Sequence, residues 1–272
     1  MTETLLEVLL RRDRIIVAVA LAALIALAWT YLLWLAADME MGEMDMAGFR
    51  MIPAGTGLMM PASTPWKAVE FAYVFAMWAV MMAGMMTPSA APMILIYARV
   101  GRQASAQGKP FAATGWFATG YLLTWAGFAL VATVAQWALE RMALLDPMMA
   151  GTSRVFGGIV LITAGIYQWT PLKDTCLAQC QSPLLFIHRH GGFHRDPSAS
   201  LALGLHHGAH CVGCCWALMA LLFVGGVMNV LWIAAISAFV LIEKIVPAGR
   251  LISRIAGIGF VAAGAWLVAQ YS

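Results

Sequence analysis

Five cysteines, Cys176, Cys180, Cys211, Cys214 and Cys215, lie between positions 176 and 215 of the chain, with His206, His207 and His210 beside the last three. Cys176 and Cys180 are four residues apart, as are His207, Cys211 and Cys215 in turn, so each set shares a face if its segment is helical. Cys211 and Cys214 stand one helical turn apart. Thiols and imidazoles so spaced are the ligands of a soft or borderline metal ion. They are equally the material of a dithiol couple. An odd number of cysteines excludes complete internal pairing. Four sulfurs from two segments would suit tetrahedral Zn(II), while two or three would suit Cu(I). The plain alternative is that the cysteines are small apolar packers and the histidines hydrogen-bonded core residues.

Methionine is the second unusual usage, at 19 copies. Residues 38–46 read Asp-Met-Glu-Met-Gly-Glu-Met-Asp-Met, setting Met39, Met41, Met44 and Met46 among four acids. Thioethers are neutral and form no disulfides, so this segment could collect a soft cation where thiols would be oxidised. Downstream, Met77, Met81 and Met85 form one helical row, and Met82 and Met86 an adjacent one. Pro88 and Pro92 are expected to disturb that helix and to free carbonyls near Gly84 and Pro88. Together the rows read as relay sites for Cu(I), against the alternative of flexible core filler. The methionine supply favours copper, with zinc the alternative. His188, His190 and His194 read as solvated loop residues, or as a loading or release point for metal.

These residues need elements to hold them, and composition names the medium. The chain is 62% hydrophobic and 11% charged over 272 residues, with mean hydropathy +0.82. A soluble domain carries about 25% charged residues, so an ordinary cytosolic enzyme, a disordered chain and a nucleic-acid binder are excluded. Charge-free stretches predict an all-α polytopic bundle of about seven spans, near 15–37, 68–98, 111–139, 153–171, 200–223, 227–246 and 250–270. Helices satisfy their own backbone in lipid. The first stretch is too long for a signal-peptide core and reads as a retained helix. With the N-terminus inside, twelve Lys and Arg fall on inner segments and four on outer ones, so the C-terminus is expected outside. Residues 1–272 then form one integral membrane domain, with an outer Met-rich loop 38–66 and an inner Cys/His loop 172–199. A bacterial inner (cytoplasmic) membrane is the expected location.

Gly204 and Gly208 form a small-xxx-small pair that would let another helix approach the cysteine face. Asn229 is expected to bond across to a neighbouring helix. Glu243 and Lys244 read as interface anchors at the end of the sixth span.

In this order the motifs resemble the family of metal-binding integral membrane proteins called domain of unknown function 2182. The matching stretches are Met77-Trp78 to Met82 with Met85-Met86, Pro88 and Ala91-Pro92; Tyr167-Gln168, Thr170-Pro171-Leu172-Lys173, Cys176-Leu177 and Cys180; Gly204, Gly208, Cys211, Gly213-Cys214-Cys215-Trp216 and Met219; Gly226, Met228-Asn229; and Glu243-Lys244. The resemblance covers roughly residues 66–248 and implies metal binding. The acidic Met loop and the histidines lie outside its motifs.

The leading expectation is a Cu(I)-binding membrane protein that transports the ion or delivers it, with a copper chaperone or membrane copper enzyme as partner. Met outside, Met within and thiols inward make a graded path. Catalysis is not expected under this reading. The alternatives are a thiol-disulfide oxidoreductase using Cys176/Cys180 and Cys211/Cys214, and a structural or assembly subunit of a larger, oligomeric membrane complex.

Overall fold

The structure is a computed structural model and describes residues 5–40, 49–55, 58–61, 63–107, 114–146, 149–190 and 196–270. In chain order the elements are α1 (Leu5–Glu40), β1 (Phe49–Met51), β2 (Met59–Pro61), α2 (Ala68–Ala106), α3 (Thr114–Arg141), α4 (Arg154–Tyr167), α5 (Pro171–Gln181), α6 (Pro183–Arg189), α7 (Pro197–Ala220), α8 (Leu222–Gly225), α9 (Val230–Ile245) and α10 (Gly249–Ala269). The all-α expectation agrees with this architecture. The strands form one short antiparallel hairpin.

Among the described residues, five helical segments are long and apolar enough to cross a membrane: 15–39, 68–104, 114–141, 197–225 and 249–269. The pair α4 and α5, bent by 66°, counts as a sixth if taken as one broken span. The remaining expected span, 227–246, is α9, whose 16 residues reach about 24 Å. That falls short of the ~30 Å hydrocarbon core. Helix length alone therefore supports fewer than seven spans.

Helices α3 and α7 pack together, as do α4 with α10, α1 with α2, α2 with α3, and α5 with α7. The α3–α7 crossing is close because glycines meet there. A Cβ on Gly204 would strike the Phe117 carbonyl, one on Gly120 the Leu201 carbonyl, and one on Gly208 the Thr124 side chain. The approach expected at Gly204 and Gly208 is present, and its partner is α3. Gly204→Leu should therefore force α3 off α7 and replace the single size-exclusion peak in detergent with aggregate. A monodisperse Gly204→Leu protein would mean that the crossing is not tight.

Several sequence expectations need correction. Residues 172–199 do not form a plain loop: Thr170 caps α5 by accepting from the Lys173 amide, Pro171 opens the helix, and α6 follows. Lys173, Cys176, Leu177, Phe186 and Ile187 are buried on these helices because α5 packs on α7. Among the described residues, Asn229 makes no bond across to another helix; its side chain caps α9 by accepting from the Trp232 amide at 3.1 Å. A short amide just after the Gly226 turn (φ +95) is in position to satisfy a free helix-terminal N–H. Glu243 and Lys244 are not interface anchors. They are 2% and 7% exposed, inside the bundle.

Helix α2 runs unbroken through Pro88 and Pro92. The carbonyls that draw outside partners are those of Met85 and Met86. Met85 accepts from Ser237 Oγ at 3.2 Å, and Met86 from Tyr121 Oη at 3.0 Å. The ties therefore form one turn before the prolines, where hydroxyls from α9 and α3 are within reach.

Candidate metal centre

Helix α7 carries the centre. Asp196 caps its first turn, Pro197 starts it, and the i, i+4 spacing then turns Cys211 and Cys215 to one side with Cys214 beside them. All three are buried. Cys214 and Cys215 donate to the Cys211 carbonyl at 3.1 and 2.9 Å. Helix α5, lying on α7, brings Cys180 Sγ to 4.0 Å from Cys214 Sγ. From α2, Met86 Sδ stands 3.9 Å from Cys215 Sγ. Cys211 Sγ also meets Tyr121 Oη at 3.2 Å and the Lys244 ammonium at 2.7 Å. Three expected donor segments, α2, α5 and α7, thus converge on one buried cluster.

Cys176 stands at the edge of this cluster. Its sulfur lies over Gly213, where an added Cβ would stand 2.7 Å away. Gly213 therefore makes room for Cys176 beside Cys214.

Among the described residues, no group of three or more His, Cys, Asp and Glu side chains gathers its donor atoms for one ion. The close sulfur contacts instead come in twos, Cys180 with Cys214 and Cys215 with Met86.

The histidines face elsewhere. The His207 ring packs among Phe117, Tyr121 and Phe186 with centroids 5.9, 5.8 and 5.1 Å away, and its buried Nδ1 has no hydrogen-bond partner among the described residues. His210 Nδ1 bonds the His206 carbonyl at 2.8 Å, and its ring meets His190 and Phe186. His190 is tied to the Phe186 carbonyl and also neighbours His206. His188 is exposed, and His194 lies outside the described residues.

Of the methionine rows, Met77, Met81, Met82, Met85 and Met86 are all buried. Met39 is also buried, in the last turn of α1, so it packs in the core rather than in a loop. Met41, Met44 and Met46 lie outside the described residues. A cavity of about 540 Å³ is lined by Met51, Met149, Trp66 and Glu140, among others. Glu140 leads inward from it. Gln136 Nε2 donates to Glu140 at 3.0 Å, and Trp78 Nε1, between Met77 and Met81 on α2, donates to Gln136 at 2.8 Å.

Two charged residues of the site region were not read as such in the sequence. Lys244 touches Cys211, as described. Lys173, fully buried on α5, donates to both carboxylate oxygens of Glu243 at 3.0 and 2.9 Å, and Ser253 donates to the same carboxylate at 2.6 Å. This pair ties α5, α9 and α10 together behind the cluster. The signal available in the sequence was the presence of a lysine and a Glu-Lys pair in otherwise apolar surroundings, where charges are expensive.

An all-α bundle of long apolar helices around buried thiols and a thioether has the make-up of a protein that handles a soft metal. A family model described as PpoB2, copper chaperone, matches residues 75–267. The match takes in α3 to α9, most of α2 and nearly all of α10, and the chain belongs to this copper chaperone family. No curated protein and no solved structure matches the chain.

Proposed function

We propose that the protein is an integral membrane Cu(I) chaperone that holds the ion on paired sulfurs and delivers it to a membrane copper protein. The observation that carries this reading is the pairing itself: Cys180 with Cys214 at 4.0 Å and Cys215 with Met86 at 3.9 Å. At a metal–sulfur bond of about 2.3 Å, sulfurs this far apart bridge one ion at an angle of about 120°. Thiolate donors suit both Cu(I) and zinc, and the thioether is a soft donor that suits Cu(I). A structural zinc site requires four ligands held tetrahedrally, so the pairing favours copper over zinc.

Family membership supports the copper assignment, and the apolar helices support the bilayer. In the proposed topology the chain crosses seven times as a single domain, with α4 and α5 as one broken span and α9 as a short one. The N-terminus is inside and the C-terminus outside, in the inner membrane of a bacterium. Lys173 and Lys244 are buried and no longer count as loop charges, but removing them leaves the inward excess of Lys and Arg standing. In that topology Met39, Met41, Met44 and Met46 would fall on the outer side, as the metal-collecting segment. The row from Met77 to Met86 would lead from there to the thiols, through which the ion is transported or handed over.

A dithiol oxidoreductase is the second reading, favoured by the Cys180–Cys214 contact. One experiment separates the two. After anaerobic detergent purification, metal content and Cu(I) competition titration should give stoichiometric copper on reduced thiols. Metal-free protein with no Cu(I) affinity and a reducible disulfide would overturn the chaperone reading. A Met41, Met44, Met46 triple substitution should lower copper uptake in cells while leaving the purified site's affinity within about twofold, an error-scale change of ~0.4 kcal/mol.

A further inference from the structure

Three imidazoles meet where the end of α6 comes against α7. The His190 ring centroid stands 5.9 Å from that of His210 and 5.6 Å from that of His206, both on α7. His190 Nδ1 is 2.8 Å from the Phe186 carbonyl, and His210 Nδ1 is 2.8 Å from the His206 carbonyl. A carbonyl only accepts, so in both neutral rings Nδ1 carries the hydrogen and Nε2 the lone pair. Each lone pair then points away from the carbonyl that fixes its ring. Imidazoles bind metal ions in this arrangement: one nitrogen donates to a backbone carbonyl, setting tautomer and orientation, and the other ligates. His190 and His210 are half-buried and His206 is exposed, beside exposed His188 and Arg189, so the cluster is reachable from outside the bundle. His206 and His210 also lie within the apolar segment 197–225, where ionisable side chains are expensive and mark function.

We propose that His190 and His210 hold a borderline divalent ion of the Zn(II) class through Nε2, with His206 as a third ligand, at a site separate from the thiols. With a metal–nitrogen bond of about 2.0 Å, two imidazoles on one tetrahedral ion have centroids about 5.2 Å apart. The observed 5.9 and 5.6 Å are a small ring movement from that. As they stand, the described side chains do not gather three donors on one point, so binding recruits His206, whose exposed side chain has room to turn. Imidazole suits Zn(II), and the lack of sulfur in the set separates this site from the soft-ion centre. The ion joins α6 to α7. Because α6 follows α5 directly after Ser182, the same ion steadies the helix that carries Cys180. This inference goes beyond the copper reading and does not rest on it.

In the test, purified full-length protein is loaded anaerobically with Ag(I) to occupy the thiols, then titrated with Zn(II) against a competing chelator dye. Wild type is compared with His190→Gln, His210→Gln and His188→Gln. Wild type should bind one Zn(II) per chain. His190→Gln and His210→Gln should each weaken binding by at least about 10-fold, the low end of what loss of an outer-shell partner costs a metal site. His188→Gln, outside the cluster, should bind like wild type. Co(II) in place of Zn(II) gives a readout on wild type alone if a variant fails to fold: visible d–d bands without sulfur-to-metal charge transfer mark an imidazole site. A sulfur charge-transfer band overturns the proposal, as does Zn(II) affinity indifferent to both His190→Gln and His210→Gln. Histidine-dependent Zn(II) binding by a protein that takes no Ag(I) supports this inference and overturns the copper reading, whereas Ag(I) uptake without Zn(II) binding overturns this inference alone.

Discussion

Cys214→Ser should lower Cu(I) affinity by at least about 100-fold, the upper end of what loss of an outer-shell partner costs a metal site. Cys214 stands nearest Cys180 across the α5–α7 contact, so its loss removes the thiol pair formed between two helices. The hydroxyl that replaces it is a hard donor and a poor ligand for Cu(I). Met86→Leu should cost less, because it keeps packing volume and removes only the thioether beside Cys215. Competition titration on both variants gives the order. If Met86→Leu is the more damaging, the ion sits on the Cys215–Met86 pair instead.

Lys173→Met should destabilise the fold by about 3–5 kcal/mol, because it leaves the Glu243 carboxylate buried without its cation. That is a large part of a total stability of about 5–15 kcal/mol. The double variant Lys173→Met/Glu243→Leu should recover most of the loss, since replacing both members of a buried pair by apolar groups is often neutral. Thermal inactivation in detergent measures both. A double variant as unstable as the single one would mean that Glu243 is needed for its other contact, with Ser253.

Spacing made the helices and the sulfurs legible. Charge-free stretches marked the apolar helices, the i, i+4 rule set Cys211 and Cys215 on one face of α7, and Gly204 and Gly208 announced a close neighbour. The partners across the bundle were hidden. Lys244 meets a sulfur 33 residues away and a hydroxyl 155 residues away, and no local pattern encodes that. A lysine beside a glutamate at the end of an apolar run has the composition of an interface anchor, so only packing reveals it as part of the site. The α5–α6 segment was read as a loop because its polar residues and prolines mimic one. Its buried face, Lys173, Cys176, Leu177 and Phe186, acquires meaning from α7. The histidines were adjacent to the cysteines in sequence, but the helix turns His207 into an aromatic cage and His210 toward His190.

The burial of the thiols has a kinetic corollary. Cys211, Cys214 and Cys215 are each no more than 2% exposed, and Cys180 is partly exposed. On the proposed reading, a small chelator in solution would reach an ion held among them only past Cys180, at the α5–α7 contact. Exchange would then be slow in the closed bundle, and unloading would fall to a protein that can pry α5 from α7.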